Sequence, residues 1–75
     1  MKESQRRKNF VRLAENRVSR ALKDIQLIGN LSNKNNYEFT SDDVAKIFST
    51  IEKELKIVKK RFDETGYSEN QKFKL

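Results

Sequence analysis

The chain has 75 residues, 37% of them charged, a formal net charge of +6, and no cysteine, histidine or proline. These features exclude disulfides, thiolate and imidazole metal sites and histidine-based acid–base catalysis. A chain this short holds one domain at most, and its own core supplies only a few kcal/mol, so a second subunit is the expected support.

The opening segment, Met1 to Arg12, is polar and basic with no apolar run behind it. It predicts no secretory signal, and no stretch of the chain has the length and apolarity of a membrane span. Together with the missing cysteines this fits a reducing, cytoplasmic setting. Residues 1–5 are expected to fray.

A first helix is predicted over about 4–28. No glycine or proline interrupts Ser4 to Ile28. At 100° per residue, Phe10, Val11, Ala14, Val18, Ala21, Leu22, Ile25 and Ile28 fall within an arc of roughly 120°, the stripe of a core-facing helix. Leu13 and Leu27 lie outside it, on the flank of Arg17 and Asp24. Gly29 is expected to stop the helix in the left-handed conformation.

Asn30 to Phe39, NLSNKNNYEF, is rich in residues that favour turns and local side chain–backbone hydrogen bonds. Leu31, Tyr37 and Phe39 within it suggest a loop folded back onto the helices. Thr40 then offers an N-cap, Asp43 the acidic partner of a capping box, and Phe39 with Val44 the spacing of a hydrophobic staple.

The second helix is predicted over about 41–65. Val44, Ile47, Phe48, Ile51, Leu55, Val58 and Phe62 share an arc of about 100°, opposite Lys46, Lys53, Lys60 and Glu64. Gly66 is expected to end it, leaving residues 66–75 as a polar tail carrying Tyr67, Phe73 and Leu75. The tail is expected to fray unless a partner orders it.

The predicted fold is all-α: an antiparallel helical hairpin, one domain over residues 1–75, dimerising into a four-helix bundle. Two helices alone leave the margins of stripes this wide in water, whereas two hairpins cover them. The alternative is a monomer whose loop and tail aromatics cover the remaining surface.

Charge is unevenly placed. Residues 1–28 hold eight Lys/Arg and three Asp/Glu, whereas residues 41–65 hold six of each. Five of the six arginines, Arg6, Arg7, Arg12, Arg17 and Arg20, lie in the first helix. Arginine forks grip phosphate in two places and stack on bases, which makes these five the candidates for an anionic or nucleic-acid partner. They also serve as good helix formers on a solvated surface, and they fall on several sides of the helix, so charge alone favours the plainer role. Leu13, Leu27, Tyr37 and Phe73 are the candidates for a protein interface.

Other groupings point to structure. Asp42 and Asp43 suit the positive end of a helix better than a cation site. Glu52 and Glu54, two apart, point in different directions. The asparagines serve turns. The first helix lacks tryptophan and has an apolar partner in the second, which disfavours a membrane-surface role. No Ser/His/Asp set, phosphate-binding glycine loop or paired catalytic carboxylate stands out, and no cofactor or small-molecule substrate is implied.

The block LIGNLSNKNNYEFTSDDVAKIF at residues 27–48, with FVRLAENRVSRAL before it and IEKELKIVKKRF after it, resembles a group of short bacterial helical proteins found near mobile genetic elements. The resemblance spans about residues 8–62. It implies a bacterial, plasmid or phage context and attaches no activity or catalytic residue. The expectation is therefore a non-enzymatic binding or regulatory protein acting on a protein partner, itself included, with nucleic-acid binding as the alternative.

Overall fold

The computed structural model describes residues 4–65. The chain is all-α, as its periodicity predicts. Two long helices, α1 (Gln5–Gly29) and α2 (Ser41–Asp63), are joined through a short 3-10 turn at Asn30–Ser32, and no strand occurs among the described residues. The chain divides between Glu38 and Phe39 into two units, each built on one helix.

In the first unit, Ser4 stands in extended conformation and its hydroxyl accepts the Arg7 amide at 3.1 Å. This N-cap satisfies one of the four amides that a helix start leaves without a partner. The Gln5 side chain donates to Asn9 Oδ1 at 3.1 Å, one turn on. The expected stop at Gly29 is corrected. Gly29 has φ −60° and ψ −31°, a right-handed helical residue, and α1 includes it.

The reason for the overrun is local hydrogen bonding. The Asn30 amide donates to the carbonyls of Gln26 and Leu27, so the helix tightens instead of reversing. Termination falls to Asn33, whose backbone turns extended at φ −72° and ψ 101°. Its Oδ1 accepts the Asn35 amide at 3.0 Å, and its carbonyl accepts the amides of Asn36 and Tyr37 at 3.1 and 3.0 Å. The turn chemistry predicted for the asparagines thus concentrates on one of them.

In the second unit the capping box forms as the sequence predicts. The Asp43 amide donates to Thr40 Oγ1 at 3.1 Å, and the Thr40 amide donates to Asp43 Oδ2 at 2.9 Å. Phe39, at the staple position, is half-buried. Within α2 the hydroxyls of Ser49 and Thr50 both donate to the Lys46 carbonyl, at 3.1 and 2.7 Å, which keeps two polar side chains satisfied on the helix surface. α2 ends two residues earlier than predicted. The Thr65 amide and hydroxyl both donate to the Phe62 carbonyl, at 3.1 and 2.6 Å, and close the final turn. Gly66 and the tail lie outside the described residues.

Among the described residues neither unit buries a side chain. The two-helix, all-α architecture is that of the predicted helical hairpin. Each unit taken by itself leaves its stripe open: Val18, Ile25 and Leu55 are 56%, 44% and 61% exposed, and Ile51 is half-buried. In the connecting segment Leu31 and Tyr37 are about half exposed and Phe39 is half-buried. The physical reason is plain in each unit: a single helix has nothing of its own to lay its stripe against.

Candidate interaction surfaces

Two apolar stripes and one basic helix are what the described residues offer a partner. On α1, Phe10, Val18, Leu22 and Ile25 are exposed, while Val11, Ala14 and Ile28 are half-buried. On α2, Val44, Ile47, Phe48, Leu55 and Phe62 are exposed, while Ile51 and Val58 are half-buried. Both stripes run the length of their helices, about 35 Å at 1.5 Å per residue. Ile57, which the sequence reading leaves out, stands outside the α2 stripe and is also exposed.

The five candidate arginines are all exposed and do not form one patch. At 100° per residue, Arg6, Arg17 and Arg20 share the flank that also carries Leu13, Asp24 and Leu27. Arg12 lies with Lys8 and Lys23 on another side. Arg7 sits at the N-terminal end of the apolar stripe, its guanidinium 5.8 Å from the centroid of the Phe10 ring. That is a cation–π distance, and the i, i+3 spacing of the two residues is the sequence signal for it. Arg6 and Arg7 occupy the first turn of α1, where no acidic residue stands. Of the candidates for a protein interface, Leu13 is half-buried, Leu27 and Tyr37 are about half exposed, and Phe73 lies outside the described residues.

The two helices treat charge in opposite ways. α2 has Asp42 and Asp43 in its first turn and Lys60 and Arg61 in its last, the arrangement that complements the helix dipole. α1 has no acid in its first turn and no base in its last. Two arginines at the positive end of α1 are locally unfavourable. Such violations of a local rule tend to mark positions retained for something other than the fold.

Among the described residues no three His, Cys, Asp or Glu side chains gather as a metal-ligand set, and no helix is long and apolar enough to cross a membrane. No protein-family model, curated protein or solved structure matches the chain.

Proposed function

We propose that this is a non-enzymatic binding or regulatory protein that acts by laying an apolar helical stripe against another protein chain. One observation carries the reading: both stripes, each of seven or eight residues, have no buried member within the chain. Most helical stability in proteins comes from packing an amphipathic face rather than from intrinsic propensity. Contiguous exposed apolar surface of this kind marks interaction sites. The chemistry supplied is packing, with Arg6, Arg17 and Arg20 as a polar rim along α1.

A second reading, nucleic-acid binding through the same helix, draws on the placement of Arg6 and Arg7. Cations at the positive end of a helix are tolerated at a cost and would meet a phosphate there with backbone amides behind them.

One experiment separates the two. The full chain and a variant carrying Arg6→Ala, Arg7→Ala, Arg12→Ala, Arg17→Ala and Arg20→Ala are titrated onto heparin and a mixed RNA at two salt concentrations. Each is also used to recover a stoichiometric protein partner, beside Val18→Asp and Leu55→Asp chains. The protein-binding reading expects recovery that is lost with the stripe variants and kept in the arginine variant. Binding that falls steeply with salt and disappears in the arginine variant, with no stripe-dependent protein recovered, overturns it in favour of nucleic acid.

A further inference from the structure

We infer that the polar face of α1 is a surface for duplex DNA, seated in the major groove with one row of cations toward each bordering phosphate strand. The inference rests on the nucleic-acid reading above and names its ligand and mode. It uses the face of α1 opposite the apolar stripe, so a protein on the stripe and DNA on the polar face are compatible.

The first ground is how α1 distributes its charge. The helix carries seven Lys/Arg against two acids, Glu15 and Asp24. Arg7 stands in the apolar stripe, over Phe10. The other six bases fall into two rows. Arg6, Arg17 and Arg20 form one, and Lys8, Arg12 and Lys23 form the other, centred roughly 120° away around the helix. All six are exposed. Each row extends over about 21–23 Å of helix axis. Asp24 interrupts the first row, and Glu15 lies beyond the second, toward the stripe. α2 shows the contrast within the same chain: its six bases are matched by five acids. An apolar surface laid on the polar face of α1 would strip water from six cations without pairing them, so apolar contacts do not compete for it.

The second ground is what stands between the rows. Asn9 and Asn16 lie along the midline, roughly opposite the centre of the apolar stripe, and both are exposed. Asparagine pairs in two places with the N6 and N7 edge of adenine in the major groove. The Gln5 side chain donates to Asn9 Oδ1 at 3.1 Å. An amide oxygen has two acceptor sites, so this bond orients Asn9 without exhausting it.

The third ground is dimension. A helix with its side chains is about 10–12 Å across, and the major groove of B-form DNA is about 12 Å wide with a phosphate strand on each edge. Two rows with readers between them match that cross-section. The major groove of duplex RNA is too narrow for side chains to read. A single strand offers one backbone to two rows.

The test uses the full chain and one mixed sequence prepared as duplex DNA, as duplex RNA and as single-stranded DNA, followed by fluorescence anisotropy over a range of salt. Duplex DNA is expected to bind most tightly. Six phosphate contacts at about 0.9 each give a slope of about −5 in log affinity against log salt. Arg17→Gln and Arg12→Gln, one from each row, should each make that slope shallower by about 0.9, while Lys53→Gln on α2 leaves it unchanged. Glutamine forms helix as well as these bases do, so the variants keep their helical signal. Asn9 and Asn16 are seven residues apart, about 10.5 Å of rise. Selection from a random duplex pool should therefore enrich adenines about three base pairs apart, at 3.4 Å per base pair. Asn9→Ala with Asn16→Ala should remove that enrichment and keep the salt slope.

No binding to any nucleic acid overturns the nucleic-acid reading and the inference with it. Equal binding to duplex RNA or to the single strand keeps that reading and overturns the groove. A slope that responds to one row alone overturns the two-sided seat. Enrichment that survives the double asparagine variant overturns the midline as the reading edge.

Discussion

Replacing Gly29 with alanine should stabilise this protein, and the sign of the effect is what makes the experiment informative. Glycine at a helix end suggests a left-handed cap, and there a Cβ is strained by about 1–2 kcal/mol. Gly29 is right-handed, and a Cβ built on it meets nothing within 4 Å. The substitution therefore removes backbone freedom from the unfolded chain without a clash in the folded one. It is worth about 0.5–1 kcal/mol. For a domain of this size that is a rise of about 2–8 °C in the thermal midpoint. Circular dichroism at 222 nm, followed through a thermal ramp for both proteins at one concentration, reads it. A fall in the midpoint would show that the chain reverses at Gly29 after all, and the account of how α1 continues into the 3-10 turn would be refuted.

Three further perturbations test other parts of the description. Thr40→Ala and Asp43→Ala each break the capping box and should each cost about 0.5–2 kcal/mol in urea unfolding; their double mutant should lose less than the sum, because the two hydrogen bonds share one motif. Arg7→Glu places an acid at the third position of α1 behind Ser4, completing a capping box and complementing the dipole. Its helical signal should rise by the equivalent of about 0.3–1 kcal/mol, and a fall would mean that the Arg7–Phe10 contact matters more than the terminus. The combined Arg12→Ala, Arg17→Ala, Arg20→Ala variant should keep full helicity, since alanine is the best helix former; lost helicity would give those arginines a structural role.

What was legible in the sequence was local. Apolar spacing gave both helices to within a residue or two, and Thr40 with Asp43 gave the start of α2 down to its hydrogen bonds. These features depend on residues within one turn of each other. The start of α1 was equally local but easier to miss, because Ser4 is followed at the third position by Arg7 in place of an acid. Gly29 misled for a related reason: glycine permits a left-handed turn without requiring one, and Asn33 three residues after Asn30 supplies the turn instead.

The burial of the stripes was not legible. Periodicity shows that Val18, Ile25 and Leu55 want a partner; it does not say which surface provides one. The candidate arginines show the same boundary. Their number and their scatter over several sides of α1 were plain from the sequence; that the Arg7 guanidinium stands over the Phe10 ring was read from the structure.

The central claim is that association covers the apolar stripes, and dilution tests it most directly. Helicity and thermal midpoint are measured by circular dichroism from hundreds of micromolar down to below one micromolar, with mass followed by light scattering over the accessible range. The account predicts that both fall together as associated chains separate, because stability linked to association depends on concentration. A chain that keeps its helicity and midpoint unchanged at the lowest concentration, as a monomer, would contradict it.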